Sequence, residues 1–160
     1  MDRVLSWDEA LVERALRRRY RETVVLTNGV FDLLHVGHLD YLLQARELGD
    51  YLVVGVNSDA STYRLRGFGR PIVPAEERAR LVAALDPVDA AVIFNQDTAE
   101  QLVDALRPDL YVKGGDWGIR NPPPEAATVV GYGGRVEYLD FTPGHSTTEL
   151  IERIVKNYPS

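Results

Sequence analysis

Val24-Val-Leu-Thr-Asn-Gly-Val-Phe-Asp-Leu-Leu-His-Val-Gly-His-Leu39 is the stretch that decides the fold. From Thr23 to Thr27 the chain is continuously apolar and β-branched, as expected of a strand buried on both faces of a parallel sheet. Asn28-Gly29 ends that strand. From Gly37 a helix is predicted, with Leu39, Leu42, Leu43 and Ala45 inward and Gly49 as its stop. Tyr51 to Val56 is a second buried strand, running into the loop-forming trio Asn57-Ser58-Asp59. Strand, helix and strand in this order make a βαβ unit.

The unit repeats downstream. After a polar stretch over 57–70 that carries Arg64 and Arg66, Pro74 suits a first helical position, and Ala79, Val82, Ala83 and Leu85 give the helix an inner face. Ala90 to Phe94 is a third strand. Asp97 and Glu100 have capping-box spacing ahead of Leu102, Val103 and Leu106, and Pro108 stops that helix. Leu110 to Val112 is a fourth strand, ending in Lys113-Gly114-Gly115-Asp116. Residues 114–127 include Asn121-Pro-Pro-Pro124 and no periodicity, so a long loop is expected, of the kind that is a lid or disordered. Gly133-Gly134 turns into a fifth strand, Arg135 to Leu139. Ser146 and Glu149 then cap a terminal helix with Leu150, Ile151, Ile154 and Val155 on one face. Upstream, Ser6 and Glu9 cap an amphipathic helix, read as an N-terminal extension (1–21) to a core over 22–158. The arginines at its end, Arg14 to Arg21, suit the C-terminal dipole and a solvated face better than an anion patch.

These elements predict an α/β fold: a single Rossmann-like open parallel five-stranded sheet with helices on both faces. Ligands of such sheets bind outside the carboxyl ends of the strands, where strand order reverses. The segments 28–38, 57–70, 113–128 and 140–148 are expected to converge there.

Composition narrows the chemistry. The chain has 160 residues, a size suited to one domain, and a formal charge of −6, which disfavours nucleic acid and leaves polyanions to a local basic pocket. Cysteine is absent, which excludes disulfides, thiolate zinc sites and cysteine nucleophiles. With neither a signal-peptide core nor a membrane-length apolar run, a cytoplasmic protein without membrane contact is expected.

His35-Val36-Gly37-His38 carries the most specific chemistry. Gly37 permits close approach of a ligand to the backbone, and the helix N-terminus that follows offers free N–H groups to phosphate. Imidazoles at i and i+3 share one face of a first helical turn, and both can donate to phosphate oxygens. Zinc is the rival ligand, but no third protein ligand is evident nearby, and no metal site is assigned. Lys113, at a strand's carboxyl end, suits phosphate neutralisation. Arg78, near a helix start, is electrostatically misplaced unless an anion faces it, which favours phosphate contact. Asp32 is either a structural turn residue or an orienter of the loop.

Gly29-Val-Phe-Asp-Leu-Leu-His-Val-Gly-His38 resembles the HxGH signature of the nucleotidylyltransferase superfamily, and Ser146-Thr147-Thr148 resembles its second signature, I-S-T-T. Val56 to Ser61, Arg70-Pro71, Glu77-Arg78 and Val112-Lys-Gly-Gly-Asp116 are similar to the adenylyltransferase family of the ADP-heptose pathway, which joins D-glycero-D-manno-heptose 1-phosphate to AMP from ATP. The resemblance spans roughly residues 22–155. His145 departs from it, standing where the signature has isoleucine. Phe141 stands where the superfamily's cytidylyltransferases commonly carry arginine.

The resemblance implies ATP, a sugar phosphate and Mg²⁺ as ligands, with a homodimer as the assembly. It puts His35, His38 and Lys113 at the reaction, and Asn28, Gly29, Val30, Phe31, Gly37, Arg78, Ser146, Thr147 and Thr148 around the nucleotide. Asp32, Asn57, Asp59, Arg64, Gly114 and Asp116 fall to the acceptor. The alternatives are a cytidylyltransferase acting on glycerol 3-phosphate or a similar phosphorylated alcohol, and a nucleotide-binding module without catalysis.

Overall fold

The computed structural model describes residues 3–160, and Met1 and Asp2 of the expected extension lie outside the described residues. The elements run β1 (Val4–Leu5), α1 (Trp7–Arg19), β2 (Val24–Gly29), α2 (Val36–Arg46), β3 (Tyr51–Asn57), α3 (Asp59–Arg66), α4 (Ala75–Ala83) and β4 (Ala90–Phe94). They continue with α5 (Glu100–Leu106), β5 (Leu110–Gly114), α6 (Glu125–Gly131), β6 (Arg135–Leu139) and α7 (Thr147–Asn157).

Every strand pairing is parallel, in the order β1-β4-β3-β2-β5-β6. β2 is therefore central. The chain steps from it outward through β3 to β4, then returns to place β5 on its other side, so the order reverses between β2 and β5. That switch point opens a crevice beyond the strands' carboxyl ends.

Strand side chains alternate between two apolar layers, as a period of two requires. Val24 and Leu26 of β2 pack with Ala10 of α1, with Leu102, Val103 and Leu106 of α5, and with Val129 of α6. Val25, between them, packs with Leu42 and Ala45 of α2 and with Ala79, Val82 and Ala83 of α4. Both layers are dry, and each fully buried Val or Leu contributes roughly 1.5–3 kcal/mol. A one-residue slip would exchange the layers, which fixes the register Val24↔Tyr51 to Gly29↔Val56. One polar group crosses the core: Thr27 Oγ1 lies 2.7 Å from Tyr41 Oη, and both donate to Val112 O, tying β2, α2 and β5 together beneath the crevice.

The sheet has six strands rather than the expected five. β1 contributes two residues, Val4↔Ala91 and Leu5↔Val92, too few to leave a periodic trace in the sequence. The N-terminal helix is capped as expected, with Ser6 Oγ accepting from Glu9 N and Glu9 Oε2 accepting from Ser6 N. It also packs against the sheet. Ala10 is buried in the core, Trp7 Nε1 donates to Ile93 O at 2.9 Å, and Arg14, only 9% exposed, donates to Leu106 O and Arg107 O and pairs with Asp109 at 3.2 Å.

Two segments read as loops contain helices. α3 occupies most of 57–70, and α6 begins immediately after the proline run. The cap of α5 also differs from expectation. Asp97 pairs with Arg64 instead, and the N–H of Ala99 is met by Glu125 Oε1 at 2.7 Å, from a residue 26 positions later. Ser146 caps α7 in one direction, its hydroxyl accepting from Glu149 N at 3.1 Å.

Arg14→Ala leaves the Leu106 and Arg107 carbonyls without this donor and removes the cation paired with Asp109, and is expected to lower unfolding free energy by about 2–4 kcal/mol in chemical denaturation. An unchanged midpoint would mean that α1 is a detachable extension after all.

Candidate active site

His35 is the N-cap residue of α2, with extended backbone. Its N–H donates to His38 Nδ1 at 3.4 Å. A ring nitrogen that accepts is unprotonated, so the proton of neutral His38 sits on Nε2 and remains available to a ligand. The two rings stack at 3.9 Å between centroids, 25° from parallel. Phe31 closes the site behind His38 at 5.3 Å, and its position requires both a left-handed backbone (φ 51°) and Gly29, where a Cβ would come within 3.0 Å of the Phe31 ring. Burial, then the neighbouring His35, pushes the His38 imidazole down to about 4. Burial, then His145, also lowers His35, with Glu149 opposing. Both imidazoles are therefore neutral donors at neutral pH.

α7 begins beside this turn. A Cβ on Gly37 would stand 2.9 Å from His145 Cβ and 2.9 Å from His35 Nδ1, so only glycine admits the approach. Two helix N-termini consequently meet. Among the described residues, the N–H groups of Val36 and Gly37 in α2 and of Thr147 and Thr148 in α7 meet no backbone or side-chain acceptor, which makes the junction attractive to an anion.

Lys113 stands at the end of β5, across the switch point. Burial, the largest influence, lowers its pKa, while Glu125 raises it and Arg66 lowers it. The two glycines that follow have a steric cause. A Cβ on Gly114 would lie 2.9 Å from Tyr41 Cε2, and one on Gly115 would lie 2.6 Å from Phe141 Cε2, with φ +70° besides. Phe141, from the segment leading to α7, thus lies across the Gly-Gly turn and against Tyr41 at 5.5 Å. Asp116 is exposed beyond it.

Several residues assigned to ligands are instead engaged with the protein. Arg78 is fully buried and donates to Val73 O, Val30 O and Asp59 Oδ1; the anion facing it is Asp59, and it offers no free surface to phosphate. Asp59 Oδ1 also accepts from Ala75 N at the start of α4, so that oxygen is committed. The Asp32 carboxylate is enclosed, accepting from Ile72 N, Val73 N and Arg70 Nε. Burial alone would raise its pKa, but those N–H groups and Arg70 outweigh burial and hold it below the usual carboxylate range. Asn57 is buried and donates to Ser61 Oγ at 2.9 Å. Arg64 is pinned to Asp97 and to Asn95 O. Asn28 Oδ1 accepts from Tyr111 Oη at 2.5 Å, beneath the turn. Of these, Arg78, Asp32 and Asn57 are buried, while the side chains of Asp59 and Arg64 stay about half exposed.

Other residues enter the site without having been assigned to it. Arg66, two positions beyond Arg64, is the arginine whose charge reaches Lys113. Glu125 reaches the same lysine from α6 and keeps Oε2 buried without a hydrogen-bond partner. Neither belongs to a sequence motif, and both depend on helices that composition had hidden.

The histidine shifts fix a pH dependence. The unfolded chain protonates His38 near 6.5, and the folded chain does so only near 4. The unfolded state therefore binds more protons in between, and stability falls as pH drops from about 6.5 to about 4. His38→Gln should remove most of that slope, and the His38 ring resonances should report a neutral imidazole at pH 6. An ordinary titration midpoint would contradict the burial seen here.

A sequence profile described as cytidylyltransferase-like matches residues 26–153. The chain is 54% identical over 149 residues to the bifunctional protein HldE of Syntrophotalea carbinolica, covering 89% of this chain and 29% of that protein. It is 50% identical over 144 residues to HldE of Geobacter sulfurreducens, covering 90% and 29%. The chain thus spans about three tenths of the length of these curated relatives. Among solved structures, the lipopolysaccharide core biosynthesis protein of Thermoplasma volcanium superposes with a TM-score of 0.62 at 30% identity, over 76% of this chain and 97% of that one. With the profile spanning both the histidine turn and the start of α7, the chain belongs to the cytidylyltransferase-like family.

Proposed function

We propose that the chain transfers AMP from ATP to a sugar 1-phosphate, D-glycero-D-manno-heptose 1-phosphate, releasing pyrophosphate. The observation that carries this reading is the meeting of the His35–His38 pair with the N-terminus of α7 around Gly37, at the sheet's switch point. The free backbone N–H groups there are donors, as a triphosphate requires. The similarity to HldE proteins supports adenylyl transfer to a heptose phosphate.

In this mechanism a phosphate oxygen of the acceptor attacks the α-phosphorus of ATP, the new P–O bond forms, and the bond to pyrophosphate breaks. No enzyme nucleophile is involved; positioning and charge stabilisation carry the rate. His38 Nε2–H donates to the α-phosphate as charge develops, and stacked His35 supports it. The N–H groups of Thr147 and Thr148 cradle the outer phosphates, with Lys113 neutralising charge from the β5 side. Mg²⁺ bound with the triphosphate would screen its negative charge. Among the described residues no group of three or more His, Asp or Glu is placed to cage it.

Phe141 favours ATP over CTP in this reading, since it occupies the Gly114-Gly115 turn where the superfamily's cytidylyltransferases commonly carry arginine. Among the described residues no helix is long and apolar enough to cross a membrane. A cytoplasmic location is part of the same proposal. Self-association belongs to the same reading. α7 leaves Ile154 and Val155 uncovered by the chain itself, and a homodimer is expected in sedimentation.

Incubation with Mg²⁺, each nucleoside triphosphate and a panel of sugar and polyol phosphates should release pyrophosphate with ATP and the heptose phosphate. Release with CTP only would overturn the adenylyl assignment; no release with any pair would favour a binding module.

His38→Ala should lower kcat by about 10²-fold or more, the loss that follows removal of one preorganised donor, without loss of the fold. Near-normal turnover in that variant would move the reacting centre elsewhere.

A further inference from the structure

The chain contains three histidines, and all three stand in one row. His38 stacks on His35, and His35 in turn faces His145 at 6.4 Å between ring centroids, with 26° between the planes. His145 directly precedes Ser146, the N-cap of α7, at the position where the superfamily signature carries an apolar isoleucine. The residue is exposed, and its imidazole makes no hydrogen bond or ion pair with the described protein.

Two features point this free imidazole at a ligand. His35 Nδ1 is buried and has no hydrogen-bond partner, and it lies 2.9 Å from the point where a Gly37 Cβ would be. His145 Cβ lies 2.9 Å from that same point. Gly37 therefore lets the His35 ring, with its unpaired nitrogen, and the His145 side chain close on one point of the α2 backbone, too tightly to admit a Cβ. Around it are the free N–H groups of Val36, Gly37, Thr147 and Thr148. A surface that sets backbone N–H groups beside imidazole rings suits an anion rich in acceptor oxygens.

We propose that His145 is a third phosphate donor, contacting the pyrophosphate part of the nucleotide and the leaving pyrophosphate. The proposal rests on the transferase reading and extends it. His38 is the enclosed end of the row, backed by Phe31, and is the donor to the reacting phosphorus. His145 is the open end, on the α7 side. A triphosphate whose α-phosphate meets His38 runs along the row toward Ser146, and His145 meets its outer phosphates. The contact forms with ATP and persists with pyrophosphate, so it acts on affinity for both rather than on the acceptor.

The test combines calorimetric titration with pyrophosphate and initial-rate kinetics, on wild type, His145→Ala and His145→Gln. His145→Ala should weaken pyrophosphate binding and raise KM for ATP, each by about tenfold, while leaving the acceptor KM unchanged. His145→Gln keeps an N–H donor and should recover most of both. Melting temperatures should match wild type, because His145 is exposed. Unaltered pyrophosphate affinity and ATP KM in His145→Ala would overturn the proposal, as would a fall in kcat alone, or a loss that glutamine does not restore. The two readings separate cleanly: normal pyrophosphate release with His145 dispensable rejects this contact only. His145-dependent pyrophosphate binding in a wild-type protein that turns over no acceptor rejects the transferase and keeps the contact.

Discussion

A fully buried guanidinium holds the turn on which the site depends. Arg78 brings a positive charge into the interior, and its position is tolerable only because Asp59 and the carbonyls of Val73 and Val30 surround it. Val30 lies in the turn between β2 and the histidines. Asp32, two residues on, is gripped by the backbone of Ile72 and Val73 and by Arg70. The approach to α4 and the turn after β2 are thus fastened by two buried charged groups. With that turn fixed, Phe31 is held in its left-handed conformation, and the His38 ring has a wall to pack against.

The sheet supplies the other half of the arrangement. Because β2 is buried on both faces, its register is set by two independent apolar layers, and its carboxyl end meets that of β5 at a fixed height. Lys113 is delivered opposite the histidines by this register, and the Thr27–Tyr41–Val112 hydrogen bonds tie the two strands and α2 directly below. The Gly114-Gly115 turn then serves as a seat for Phe141. The aromatic ring docks the segment that ends in His145 and Ser146, so the β5 side and the α7 side of the crevice share one wall.

Much of this was legible in the chain. The unbroken apolar runs of β2 and β3 announced a parallel sheet, and the punctuated strand ends announced where its crevice lies. The histidine turn and the Ser146 cap were local patterns, readable without tertiary knowledge. What could not be read depends on partners distant in sequence. β1 is two residues long and exists only because β4 has a free edge. The cap of α5 comes from Glu125. Arg78, Asp59, Asn57 and Asp32 carry residue types suited to ligand contact, and nothing local distinguishes a carboxylate that meets a substrate from one that meets a backbone N–H. Arg64 and Arg66 differ only in which neighbour each reaches, Asp97 or Lys113.

The neutrality of the stacked imidazoles has a kinetic side. The protein carries a formal charge of −6, and the donors at the junction of α2 and α7 are dipolar groups whose field fades within a helical turn. An anion approaching this junction from solvent therefore meets little long-range attraction, and capture depends on collision with the crevice itself rather than on electrostatic guidance. The same short reach suits departure, since an anion that has left the α2–α7 junction is not drawn back by the protein's net field.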